Sequence, residues 1–319
     1  MEERPLGATG LHVSALGFGC GNVGGLLVRG TRLERERAIG RAVELGVSYF
    51  DTAPSYGDGL SEQHLGQALR TLGADPVVGT KVSLADETGE VESAIRRSLE
   101  ASLARLGCET VDVLHLHDPI REAARVLEEI IPAFERMRDE GKIRFTGITA
   151  RGDTGALHRV VHHGAVGTAQ VFFNLLNPSA GYEGADGFPA QDFERLIPHA
   201  GEHGTGVIVV RALAAGALSG EPGRHPTAAP EVEPISTGPD YTTDLRRADL
   251  FRPLVEDGLA GSLVEASLRF PLATEAVSTV LLGISSLEQL ELAAAAVENG
   301  PLPDEALGRL RPIWNQMAD

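Results

Sequence analysis

The chain has 319 residues, 42% hydrophobic and 23% charged, the composition of a globular protein rather than a disordered one. Its 28 basic and 45 acidic residues leave a net charge of −17, which counts against nucleic acid and anionic membranes as partners. No run approaches the ~18 apolar residues of a membrane span, and the first ten residues lack the basic-then-apolar pattern of a signal peptide, so a cytoplasmic protein is expected. The two cysteines, Cys20 and Cys108, lie far apart in sequence, as in a reducing compartment.

Short apolar runs alternate with longer amphipathic ones along the chain. Strands are predicted at 14–20, 48–51, 77–82, 111–117, 143–149, 169–173, 207–211 and 277–282. Helices are predicted between them at 33–45, 61–71, 90–106, 121–140, 153–162, 191–203, 262–270 and 286–297. The strands are mostly apolar on both faces, as parallel strands buried on both sides must be. Eight alternating strand–helix units predict an α/β protein with a closed (β/α)8 barrel, one domain over residues 1–319. A doubly wound sheet is the rival, and Gly19-Cys20-Gly21-Asn22-Val23-Gly24 does read G-x-G-x-x-G. The next ten residues open no clean helix, however, and Asp51 begins a D-T-A-P-x-Y segment where a ribose-binding acid would end the second strand. Residues 212–253 hold several prolines and no period, and are read as a long loop over the barrel mouth, a substrate lid.

Barrel chemistry sits at the C-terminal strand ends. There the sequence offers Asp51 and Tyr56 after the second strand, Lys81 on the third, and His115 and His117 on the fourth. Each alone has a structural explanation; together, on neighbouring strands, they form a proton-handling set. An ammonium near a phenol favours phenolate and is expected to draw the tyrosine pKa down from about 10. A buried lysine needs a counter-charge, which Asp51 supplies. An imidazole orients a substrate oxygen. The set serves carbonyl reduction or alcohol oxidation, with the hydride carried by a cofactor. The metal alternative, His115-x-His117 with Asp118, lacks further ligands at the fifth and sixth strand ends, so no metal is expected there.

These residues resemble the aldo-keto reductase family from end to end. The resemblance rests on 5–14 as an N-terminal β-hairpin, on Tyr49-Phe50-Asp51-Thr52-Ala53-Pro54-Ser55-Tyr56-Gly57 with Ser61-Glu62 and Leu65-Gly66, and on Thr80-Lys81. It continues through 112–117, 140–144, 147–149, Gln170, Asn174, 213–220 and 283–289. It implies that the hairpin plugs the barrel floor. It implies Tyr56 as general acid/base, Asp51 and Lys81 as its tuners, and His117 as the group that positions the carbonyl, with His115 behind. It also implies an extended NADP(H), with NAD possible. Asp51, Thr149 and Gln170 would lie toward the nicotinamide, and Arg211 would either replace the stacking group there in part or contact phosphate. Leu213 and Gly216 would follow the pyrophosphate, and Gly283, Ser285, Ser286 and Gln289 the adenosine phosphate.

The chain departs from the family pattern in three places. Thr149-Ala150 replaces a serine–asparagine pair, Val210-Arg211 replaces a stacking aromatic, and Leu292-Ala293 replaces a glutamate–asparagine pair. The expected function is NAD(P)H-dependent reduction of a small aldehyde or ketone. Alternatives are a sugar or alcohol dehydrogenase running the same transfer oxidatively, and a non-catalytic, cofactor-binding regulatory barrel.

Overall fold

The structure, a computed structural model, describes residues 1–85, 89–184, 187–221 and 223–317. Its strands are β1 (Glu3–Pro5), β2 (His12–Ser14), β3 (Leu16–Gly19), β4 (Tyr49–Asp51), β5 (Val77–Val82), β6 (Val111–Leu116), β7 (Ile143–Ala150), β8 (Thr168–Phe172), β9 (Gly206–Val210) and β10 (Val277–Gly283). β3 to β10 close a parallel eight-stranded barrel, with β10 pairing back onto β3. The expected (β/α)8 barrel is therefore present, with every predicted strand on it. Among the described residues no helix is long and apolar enough to cross a membrane.

The stretch 14–20 departs from the single predicted strand. β2 pairs antiparallel with β1, and the chain turns at Ala15, whose N–H donates to Glu2 O (2.9 Å), before β3 enters the barrel. The hairpin closes the floor as expected. Leu6 and Val13 form a separate apolar cluster with Tyr49, Ile208 and Leu281, and Ala8 N donates to Gly204 O (2.7 Å).

The barrel interior makes room for its large polar side chains with glycine. A Cβ on Gly147 would stand 2.4 Å from the His115 ring and 2.6 Å from Thr168 Oγ1. His115 thus fills the barrel interior, fully buried, with Nε2 3.0 Å from Thr168 Oγ1. Outside the barrel, helix Leu60–Leu72 approaches helix Val91–Leu106 so closely at Gly66 that a Cβ would lie 2.0 Å from Leu106 O.

Three helical expectations need correction. Only Leu196–Glu202 of 191–203 is helical, because Glu194 and Arg195 adopt left-handed φ of 51° and 58° that no helix accommodates. The stretch 121–140 begins at Ala123 and passes through a π turn, Val126–Ile130, before continuing as Ile131–Asp139. Helix Asp304–Met317, which the sequence reading left out, packs Trp314 beside Tyr182 and Phe270, and the indole Nε1 donates to Leu175 O (3.0 Å).

The long loop is partly built. It contains a 3-10 segment, Ala214–Ser219, and helices Tyr241–Ala248 and Pro253–Glu256. Residues 223–240 cross the barrel mouth as a strap. Ala229 N donates to Val23 O (3.0 Å), Arg29 Nε to Thr227 O (2.8 Å) and Asn177 Nδ2 to Ser236 O (2.5 Å).

Candidate active site

Strand register delivers the expected residues to one rim. Asp51 ends β4, Lys81 lies one residue from the end of β5, and His117 follows β6 directly. Lys81 Nζ donates to the Asp51 carboxylate and to Thr52 O (2.8 Å). Gln170 Nε2, from β8, donates to the other Asp51 oxygen. The Lys81 ammonium also stands 4.8 Å from the centre of the Tyr56 ring. The Tyr56 and His117 rings meet edge-on, 6.0 Å apart at 85°.

The turn that carries Tyr56 is tied down by the Ser61-Glu62 segment. Ser61 Oγ donates to Cys20 O (2.9 Å) and lies 2.8 Å from Thr52 Oγ1. Buried Glu62 accepts from Thr80 Oγ1 and from Arg105 Nε, both at 2.6 Å, which fixes β5 next to Lys81. These motif residues hold the rim without reaching the cavity.

Electrostatics separate the members of the set. Burial works against the Lys81 charge, but Asp51 and Tyr56 outweigh it and hold the ammonium above its ordinary value. Burial raises the Tyr56 phenol, Asp51 adds to the rise, and Lys81 pulls the other way. The net direction is upward, contrary to the sequence expectation, because desolvation of the phenolate exceeds the attraction of an ammonium already neutralised by Asp51. Burial and the nearby Lys81 push His117 down to about 3, so its imidazole is neutral at pH 7. His115 falls to about 3 for the same two reasons, but it lies inside the barrel and does not line the cavity.

The rim opens into a cavity of about 590 Å³, of the size that holds a bound small molecule. Tyr56, His117, Asp51, Thr149, Gln170, Arg211, Leu213, Gly216, Gly283, Ser285 and Gln289 all line it. Ser286 does not. Its hydroxyl caps helix Leu287–Glu298 by accepting from Gln289 N (3.3 Å). The Ser285 donors are also engaged: Oγ donates to Gly24 O (2.7 Å) and the N–H to Gln289 Oε1 (3.0 Å). Arg211 adopts a left-handed φ of 59°, and Asn174 Nδ2 holds it there by donating to its carbonyl (2.9 Å).

Asn22, Arg151, Leu292 and Arg224 also line the cavity, outside the expected site residues. Asn22 belongs to the glycine-rich segment set aside with the doubly wound fold; in the barrel that segment is the loop after β3 and forms a cavity wall. Arg151 is one residue beyond the predicted fifth strand's exit pair. Leu292, 69% exposed, stands at the cavity edge. Arg224 comes from the strap: Nε donates to Ala229 O (2.6 Å) and Nη1 to Ala215 O (2.7 Å). No local pattern marks Arg224, since its place depends on the strap's path.

Three guanidinium groups thus line this cavity in a protein of net charge −17. Asp51, the one carboxylate among its lining residues, is taken by Lys81. Among the described residues, none of Arg151, Arg211 and Arg224 has a carboxylate within 4 Å. Thr149 Oγ1 is buried without a hydrogen-bond partner on the same wall. An elongated polyanion with a carboxamide at one end, such as a nicotinamide dinucleotide, suits this donor set.

The sequence pattern of the Aldo/keto reductase family matches residues 15–315. The chain belongs to the aldo/keto reductase family. It is 32% identical to an L-galactose dehydrogenase of Arabidopsis thaliana, over 98% of this chain and 94% of that protein. It is 29% identical to a D-threo-aldose 1-dehydrogenase of a Pseudomonas species, over 97% and 98% of the two chains. The holo form of an aldo-keto reductase from Bacillus halodurans shares its fold with a TM-score of 0.77 at 27% identity, and each chain is covered completely. As an aldo-keto reductase the protein is an oxidoreductase, and enzymes of this family use nicotinamide cofactors.

Proposed function

We propose that the protein interconverts a small carbonyl compound and its alcohol, with Tyr56 as the general acid/base. The observation that carries this reading is the contact of the Asp51–Lys81 pair with the Tyr56 ring at the rim, with His117 edge-on beside it. A bound nicotinamide cofactor supplies the hydride in reduction and takes it up in oxidation. Thr149 and Gln170 would hold its carboxamide, and Arg211 and Arg224 its phosphates.

In the reductive direction the substrate oxygen sits between the Tyr56 hydroxyl and His117. The raised pKa keeps Tyr56 protonated, so it donates its proton as the oxygen gains charge. Neutral His117 donates an N–H hydrogen bond to the same oxygen and fixes its position. Lys81 then stabilises the phenolate left behind, and Asp51 keeps the lysine charged between turnovers. In the oxidative direction the phenolate removes the alcohol proton.

A second reading, oxidation of a sugar, is favoured by the two dehydrogenases that the chain resembles over nearly its whole length. The apolar Phe172, Val210 and Leu281 and the polar Asn22 at the cavity wall suit a small hydroxylated carbonyl compound. We take NADP(H) as the default cofactor and expect NAD(H) to be accepted with it. A panel of aldehydes, ketones and aldoses, run in both directions with both cofactors, tests the reading. Turnover of at least one compound that disappears in Tyr56→Phe supports it; no turnover across the panel, or full turnover by Tyr56→Phe, overturns it.

A further inference from the structure

Away from the mouth, the molecule carries a histidine cluster outside the reaction described above. Helix Thr154–His162 and helix Leu196–Glu202 pack side by side on the outside of the barrel. Histidines four residues apart mark both: His158 and His162 on the first, and His199 with the C-cap residue His203 on the second. Four residues is about one helical turn, so each pair projects from one face. The two faces meet. Ring centres lie 4.4 Å apart for His199–His203, 4.8 Å for His162–His203, 4.9 Å for His158–His199 and 5.9 Å for His162–His199.

We propose that His162, His199 and His203 form a binding site for a divalent transition-metal ion of the zinc type. One ring nitrogen from each of the three lies within 4.8 Å of the others. Zn–N bonds of about 2.0–2.1 Å in a tetrahedron place nitrogens about 3.4 Å apart, so the rings close by at most ~1.4 Å, within reach of side-chain rotation. The hydrogen bonds already select the tautomers. His203 Nδ1 faces the His199 carbonyl at 2.9 Å; a carbonyl only accepts, so Nδ1 carries the proton and Nε2 is left with its lone pair. A backbone carbonyl on the far nitrogen is also the usual orienting partner of a metal-bound imidazole. His199 Nε2 is buried and has no hydrogen-bond partner, which is costly unless something occupies it. His162 has no hydrogen bond to its ring among the described residues and reaches the surface, leaving the fourth position open to water. His158 stays outside the set because its Nε2 faces Phe193 O at 3.0 Å.

Three imidazoles without a carboxylate suit zinc, nickel or cupric ions and not magnesium or calcium, which take oxygen ligands. Both helices end near the strand starts, with His162 preceding β8 and His203 preceding β9. The site is therefore at the end of the barrel away from Tyr56, and the ion would clamp two helices rather than act on substrate.

The test is zinc titration of the untagged, chelator-dialysed full-length protein by calorimetry and by competition with a chromophoric chelator. We expect one equivalent to bind, weakened at least about tenfold by His162→Ala and by His203→Ala and unchanged by His163→Ala, the exposed neighbour outside the cluster. Co²⁺ in place of zinc is expected to give the absorption of a tetrahedral nitrogen-ligated centre, lost in the same two variants, and excess Mg²⁺ should not compete. Because His162 is exposed, its variant is expected to fold, which circular dichroism checks. Absence of stoichiometric binding overturns the proposal, as does equal binding by the His162→Ala and His203→Ala proteins.

Discussion

Asp51, Lys81 and Gln170 stand on three strands of one closed sheet and lock one another through hydrogen bonds in the barrel interior. Arg224, which faces the same cavity from the strap, is held by two carbonyl oxygens of its own loop region and by Tyr241 Oη at 3.3 Å. At the rim, moving one side chain means breaking a buried ion pair in a closed sheet. The strap is held by hydrogen bonds to its backbone at residues 227, 229, 233 and 236, and among the described residues it makes no ion pair. The difference assigns tasks. Under the proposed function, chemistry that tolerates little displacement would belong to the rim, and holding a ligand that must enter and leave would belong to the strap.

Four substitutions break or sharpen that division. Tyr56→Phe keeps the ring and removes the proton, so turnover should fall about 10²- to 10⁴-fold while cofactor affinity, read by fluorescence titration, stays near the wild type. A variant that retains more than about a tenth of the rate, with chemistry rate-limiting, would dismiss Tyr56 as the acid.

Lys81→Met removes the charge that opposes the rise of the Tyr56 pKa. The expected loss is about 10²-fold in turnover. In the reductive direction the rate falls as pH rises through the phenol pKa, so the alkaline limb should move to higher pH in the variant. His117, at about 3, should contribute no limb between pH 5 and 9 in either protein. An unchanged profile would reduce Lys81 to a structural partner of Asp51.

On the strap, Arg224→Ala should raise the cofactor Kd about 10- to 100-fold, the value of a charge-assisted hydrogen bond to phosphate, and leave the single-turnover hydride rate nearly intact. A fall in that rate without a change in Kd would move Arg224 from the strap's task to the rim's.

The smallest effect concerns the adenosine end. Positions 283–293 carry no cation; Glu288 adds negative charge, while Glu291 is paired with Arg41 Nε at 2.8 Å. Discrimination between NADPH and NADH should therefore stay within about 5- to 30-fold. Ser285 is buried and bonded to Gly24, so an added cation there would disturb the turn. Leu292→Arg, at the exposed cavity edge, should shift preference toward NADPH by about fivefold, the scale of an exposed charge pair. A wild-type preference beyond about a thousandfold would point to a phosphate partner on the strap.

The sequence by itself determined the strands and the rim. Apolar runs buried on both faces leave few alternatives to a parallel sheet, and a strand's two-residue period places His117 on the same side as His115. Asp51, Tyr56 and Lys81 could be named because each sits at or just after a strand end, where chain position and spatial position coincide. Tertiary structure alone decided the rest. Whether burial or Lys81 governs the Tyr56 proton depends on the desolvation of a closed cavity. Whether Ser285 and Ser286 keep free donors depends on Gly24 and Gln289 meeting them in the folded turn. The left-handed residues Glu194 and Arg195 shorten a helix whose apolar period runs on through them. Arg224 reaches the cavity only because a loop with no period of its own crosses the mouth. The histidines on two helices become one cluster only when the barrel sets β8 and β9 side by side and packs those helices against each other. Each of these depends on groups distant in the chain, and local pattern carries no information about which distant surface a side chain will meet.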